Sequence, residues 1–240
     1  MSEEQEIIEG DAIAANFLGA SQLHSDANIQ RYVNKVGRWI ALHSDRPTLN
    51  WTFAVLDMPS VNAFAVPGGT VFISSGLLKT IKSEAELAGV LAHEVAHVTQ
   101  RHHVKALMAG GWKAAGGEVA GILVDRSKAS AIGKQATSAA VSALGAIYAK
   151  GLDKEDEFEA DRVGVIYAAR AGYDPYGLPS VLQKLTGLSQ AESGFSLMMS
   201  THPTPATRME KIESFAPVLD RFASFPQLET RFKRVMASLR

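Results

Sequence analysis

Residues 93–97 read His93-Glu94-Val95-Ala96-His97. About 3.6 residues complete a helical turn, so two histidines four apart point the same way. Both imidazoles then reach one metal ion, and Glu94 reaches a water beside it. The flanking residues make this stretch a helix. Ser83-Glu84-Ala85-Glu86 has the pattern of a capping box, with Ser83 as N-cap and Glu86 at N3. Glu84 and Glu86 also suit the positive end of the helix dipole. Leu87, Val90, Leu91, Val95 and Val98 recur at helical spacing and give one apolar face. The plain alternative is a buried helix that carries two histidines by accident. A glutamate placed where hydrolytic chemistry needs it argues against that.

The HExxH pattern is the arrangement of zinc metallopeptidases. Catalytic zinc takes three protein ligands and keeps one position open, so a third ligand must come from elsewhere. Three glutamates compete within Glu155-Asp156-Glu157-Phe158-Glu159-Ala160-Asp161. Glu157 and Asp161 are four apart and share a helix face. The spacing therefore favours Glu157 as ligand and Asp161 as acceptor of the free N–H of a metal-bound histidine. Glu155 and Glu159 each lie roughly 160° around the helix from Glu157 and read as solvated surface. His102 and His103 fall about 180° and 280° around from His93. They cannot join the site without a break in the helix, and they read as surface or inter-helix contacts.

At this point the chain resembles a known family. HEVAH at 93–97, EFEAD at 157–161, NAFAVPGG at 62–69, GLL at 76–78, and His202-Pro203 followed by Arg208 carry the resemblance. They are similar, in order, to the gluzincin metallopeptidase family of the CAAX prenyl protease, HtpX and BepA. The likeness covers roughly residues 1–215. It implies zinc on His93, His97 and Glu157, with Glu94 as the catalytic glutamate. One departure is the run Tyr148-Ala149-Lys150-Gly151-Leu152-Asp153, where relatives often carry Tyr-Ser-Arg just before the third-ligand helix. The chain also lacks the transmembrane helices of some members and the tetratricopeptide extension of others, so it resembles a soluble, catalytic-domain-only member.

The 240 residues suit one metallopeptidase domain, and 46% hydrophobic content supplies a sizeable core. Net charge is −1, which gives no reason to expect nucleic acid as a partner. The absence of cysteine excludes disulfides and thiolate metal sites. It fits a bacterial periplasm or cell envelope, and equally the cytoplasm. Residues 2–9 are acidic, the wrong sign for the start of an export signal. An exported protein would therefore have lost its signal ahead of this sequence.

The expected fold is α+β, mostly helical and zincin-like, with a small β-sheet packed on the HExxH helix. N-terminal helices over 3–20 and 27–43 occupy residues 1–50, with Asp26 capping the second. Strands over 51–57, 62–66 and 70–74 lead into the HExxH helix and complete a segment 51–103. Residues 104–150 are rich in Ala, Gly and Ser. Two readings fit them: closely packed or mobile helices, or a lid or membrane-facing surface beside the cleft. The longest uncharged run, residues 135–149, is too short and too polar to span a membrane. Residues 151–240 hold the third-ligand helix (155–171), a helix capped by Asp174 with Pro175 at N1, and helices near 206–221 and 226–239.

The resulting expectation is a zinc endopeptidase that carries one Zn2+ and cleaves unfolded or misassembled polypeptides in envelope quality control. Glu94 acts as base and then acid. His202 and Arg208 are the candidate donors to the oxyanion. His202 could instead fill the open zinc position at rest. Asn62, Ala63, Phe64 and Ala65 form a sheet edge suited to pairing with substrate backbone. Two alternatives remain open. One is a zinc-bound chaperone-like module with little turnover, and the other is a purely structural metal site. The polypeptide substrate is the expected partner, with room for a peripheral membrane contact and no transmembrane segment.

Overall fold

The computed structural model describes residues 1–110, 151–187 and 204–239. As expected, the fold is mostly helical with one small sheet. Helix α1 spans Glu3–Ala20 and opens with a capping box made by Ser2 and Gln5. Helix α2 spans Ala27–Leu42, and the Asp26 side chain accepts from the amides of Asn28 and Ile29. Strands β1 (Thr52–Leu56), β2 (Ala63–Val66) and β3 (Thr70–Ser74) follow. The sheet order is β1-β3-β2, with β1 and β3 parallel and β2 antiparallel to β3. The alternation of side chains along β2 sends Ala63 and Ala65 into the main core and Phe64 towards Phe17 and Phe72 on the other face.

A short helix α3 (Ser75–Thr80) connects the sheet to α4 (Glu84–Thr99). Residues 75–78 are buried in α3, and position 76 has no room for a side chain. The reason is a close approach: a Cβ on Gly76 would lie 2.1 Å from the carbonyl oxygen of Pro59. Helix α4 is the centre of the molecule, and every residue of 84–98 is buried. Ser83 caps it by accepting from the amide of Glu86. Glu86 does not complete the expected box. Its carboxylate accepts from the amide of Lys82, one residue earlier, and pairs with Lys184. Glu84 is fully buried at the helix start, where it accepts from the hydroxyls of Tyr32 and Tyr173 and pairs with Arg231. These partners offset the cost of burying its charge.

Helix α5 spans His102–Gly110. Helix α6, which carries Glu157, spans Lys154–Arg170 and packs directly on α4. Helix α7 (Gly177–Thr186) starts later than the sequence suggests. Asp174 caps the preceding turn instead, accepting from the amide of Tyr176. The expected helix near 206–221 is two helices, α8 (Pro205–Glu213) and α9 (Ala216–Leu219), followed by one tight turn. Pro217 explains the division, because its ring and missing N–H are tolerated only in a first turn. Helix α10 (Glu229–Met236) lies against α2 and α4. Among the described residues, no helix is long and apolar enough to cross a membrane. Most of the Ala/Gly-rich segment 104–150 lies outside the described residues.

Candidate metal centre

Helix α4 contributes His93 and His97, and α6 contributes Glu157 from the adjoining wall. The two Nε2 atoms are 3.0 Å apart. Glu157 Oε2 is 3.6 Å from His93 Nε2, and Oε1 is 3.5 Å from His97 Nε2. All three side chains are buried. His93 Nδ1 lies 3.0 Å from Asp161 Oδ1, so a neutral ring that donates its Nδ1–H there keeps the lone pair of Nε2 for a metal. Burial is the main reason that the His97 pKa is lowered, so its ring stays neutral. Burial and Arg208 also oppose a proton on His93, but Asp161 and Glu157 outweigh them and raise its pKa to about 9. The carboxylates therefore call for positive charge at this point. Two imidazole nitrogens and a carboxylate, converging in a buried place, are a donor set that fits a divalent metal ion.

Asp161 is itself held by Arg208. Arg208 Nε donates to Oδ2 at 2.9 Å and Nη2 to Oδ1 at 2.6 Å. Burial resists ionisation of Asp161, yet Arg208 and His93 outweigh it and keep its pKa below the usual value. Arg208 is 4% exposed, so the pair is screened from water. The sequence suggests Arg208 as a free donor near the open metal position. The structure commits two of its nitrogens to Asp161 and also places it on the wall of a small cavity. His93, Glu94, Ala63, Leu77 and Val90 line the same cavity, and Leu178, Val181, Leu182 and Leu185 complete an apolar side.

The structure places the remaining candidates as follows. Glu94 is buried and faces the cavity beside His93. Ala63 reaches the cavity, whereas Ala65 is in the core and Phe64 packs away from it. Asn62 exchanges backbone contacts with Ser74, donating to its Oγ and accepting from its amide. His202 lies outside the described residues. Glu155 is exposed, as expected. Glu159 is not simply solvated surface, because its Oε2 lies 3.2 Å from His102 Nε2.

The largest surprise is the end of α4. The helix stops at Thr99, Arg101 adopts a left-handed conformation with φ 59°, and α5 starts at His102. The expected continuous helix would carry His102 away from His97. The break instead buries His102 with its Nδ1 2.9 Å from His97 Nδ1. No glycine or proline marks residues 100–101, so local sequence carries no signal for this turn.

Residues 24–216 match peptidase family M48. Among similar proteins, the beta-barrel assembly-enhancing protease of Escherichia coli (strain K12) is 32% identical over 208 residues, covering 85% of this chain and 42% of that protein. The mitochondrial metalloendopeptidase OMA1 of Arabidopsis thaliana is 32% identical over 188 residues, covering 78% of this chain and 36% of that protein. Its Schizosaccharomyces pombe counterpart is 31% identical over 187 residues, covering 78% and 52%. The chain thus spans about half or less of the length of these relatives. With its central helix, His-His-Glu cluster and family match over most of its length, the chain belongs to peptidase family M48, the gluzincin metallopeptidases.

Proposed function

We propose that the chain is a zinc-dependent endopeptidase that cleaves unfolded or misassembled polypeptides in the bacterial cell envelope. The observation that carries the chemistry is the convergence of His93, His97 and Glu157, with Glu94 on the cavity wall beside them. Zinc, when bound, polarises the scissile carbonyl and makes water a stronger acid. Glu94 takes a proton as water oxygen adds to the carbonyl carbon. It then returns that proton to the amide nitrogen as the C–N bond breaks, and the second water proton passes to the leaving amine, which gives a carboxylate and an ammonium group. His93 and His97 offer their Nε2 lone pairs and Glu157 a carboxylate oxygen. Asp161 fixes the His93 ring through its Nδ1–H, and Arg208 fixes Asp161. Arg208 also places positive charge on the cavity wall, where the oxyanion develops.

Ala63 on that wall supports a substrate contact along residues 62–65, and the apolar side formed by α7 suits hydrophobic side chains of the substrate. The envelope setting draws support from similar bacterial proteins that are described as beta-barrel assembly-enhancing proteases. No comparable support exists for the cytoplasm. The test is metal analysis of the purified protein together with digestion of an unfolded substrate such as reduced casein. One zinc per chain, and cleavage abolished by a chelator and restored by zinc, is the expected result. A metal-loaded protein that binds unfolded chains without cutting them would sink the proposal.

A further inference from the structure

His102 sits where the sequence gives no reason to expect it, and its place has a chemical consequence. The left-handed turn at Arg101 folds α5 back onto α4. A residue with a Cβ adopts that conformation at a cost, so something must hold it. Arg101 pairs through Nε with Glu6 at 2.9 Å and donates from Nη2 to the Met1 carbonyl at 2.7 Å. Glu6 is fully buried and also pairs with Arg46 at 2.8 Å, and Arg46 donates to the Val98 carbonyl at the end of α4. Helix α1, which precedes the family match, thereby anchors the turn that delivers His102.

The proton positions then follow from one assumption, that His97 offers Nε2 to a metal. A neutral imidazole carries a single N–H, so that of His97 must be on Nδ1. Its neighbour at 2.9 Å is Nδ1 of His102, which must therefore accept with its lone pair. The proton of His102 is then on Nε2, which points at Glu159 Oε2 at 3.2 Å, with Asp156 Oδ1 at 3.6 Å. We propose that His102 is a positioning residue of the metal centre: it accepts the Nδ1–H of His97, while Glu159 accepts from its other nitrogen and locks the ring. The proposal rests on the reading of His93, His97 and Glu157 as ligands. It matches on His97 what Asp161 and Arg208 do on His93, so each histidine is oriented by its own buried partner. It also decides against a second metal ion on His102, Asp156 and Glu159, a cluster of suitable residue types, because a protonated Nε2 cannot ligate.

The experiment compares the wild-type chain with His102→Leu, His102→Asn, Glu159→Ala and Glu159→Gln. Zinc affinity is read by chelator competition, Co2+ absorption bands report ligand geometry, and metal content gives stoichiometry. Loss of a hydrogen bond of this kind costs about 10–100-fold in metal affinity. His102→Leu should lose that much and shift the Co2+ bands. His102→Asn places an amide oxygen near the former Nδ1 and should recover most of the affinity. Glu159 is partly exposed, so its variants fold even where His102→Leu does not. Glu159→Ala should weaken zinc several-fold, and Glu159→Gln, which keeps an acceptor, should match wild type. Wild-type affinity and Co2+ bands in both His102→Leu and Glu159→Ala overturn the proposal. So does a wild-type content of two metals per chain that falls to one in these variants. A wild type that takes up no zinc overturns the ligand reading itself, a different result from intact zinc binding with silent variants.

Discussion

Nδ1 of His93 lies 3.0 Å from Oδ1 of Asp161, and Arg208 Nη2 donates to the same oxygen at 2.6 Å. All three groups are buried. A buried carboxylate that loses its cationic partner is left uncompensated, which costs about 3–5 kcal/mol. Arg208→Met should therefore lower the melting temperature by about 6–20 °C, at roughly 2–4 °C per kcal/mol for a chain of this size. Asp161→Asn keeps the shape but loses the charge, and should weaken zinc binding about 10–100-fold. Thermal unfolding and zinc titration measure the two effects, and an Arg208→Met protein that melts like wild type would contradict the first.

Glu94 lines the cavity beside His93, and the proposed mechanism gives it proton transfer and not metal binding. Glu94→Gln should keep one zinc per chain and a melting curve close to wild type. Its rate on an unfolded substrate should fall by about 10²–10⁴, the usual contribution of a general acid–base group. Loss of zinc in this variant would reassign Glu94 as a ligand.

The three glutamates of α6 give a graded set. Glu157 faces His93 and His97, Glu159 faces His102, and Glu155 faces solvent. Glu157→Ala should lose zinc binding, Glu155→Ala should match wild type, and Glu159→Ala should fall between them. Parallel zinc titrations decide the order, and a Glu157→Ala protein that binds like wild type would remove it from the ligand set.

How much of this is legible in the sequence depends on whether the cause is local. The capped start of α4, the alternation in the strands and the four-residue spacings of His93 with His97 and Glu157 with Asp161 are local and readable. The break after Thr99 is not, because Glu6 holds Arg101 and Arg46 holds Glu6 and the Val98 carbonyl from elsewhere in the chain. Helical angles computed past a break carry no meaning, so the place of His102 beside His97 is not readable, and Glu159 reads as surface because its partner His102 comes from that displaced helix. Arg208 reads as a free cation because Asp161, its partner, lies 47 positions away. Pro217 does announce the end of a helix, and a stricter use of that signal divides residues 206–221 correctly.

Gly164 sets how closely α6 approaches α4. It lies on α6, two turns beyond Glu157, directly against the backbone of His93. A Cβ there would lie 2.9 Å from the His93 amide nitrogen and 3.0 Å from its Cα. These are backbone atoms in the most buried helix, so they cannot swing aside as a flexible side chain would. Gly164→Ala must push α6 away from α4 or bend one of them. Such overpacking costs about 1–3 kcal/mol, and it outweighs the roughly 0.5–1 kcal/mol that alanine gains over glycine inside a helix. The displacement acts where geometry matters most, because it separates Glu157 from His93 and His97. Zinc affinity should therefore fall by more than the loss of stability alone explains, with the Co2+ bands shifted as well. Gly19→Ala is the control, since it lies in α1 with open space around its missing Cβ and should be neutral or slightly stabilising. If Gly164→Ala keeps wild-type zinc affinity and melting temperature while the control behaves as expected, the close contact of α4 and α6 at His93 does not set the metal geometry.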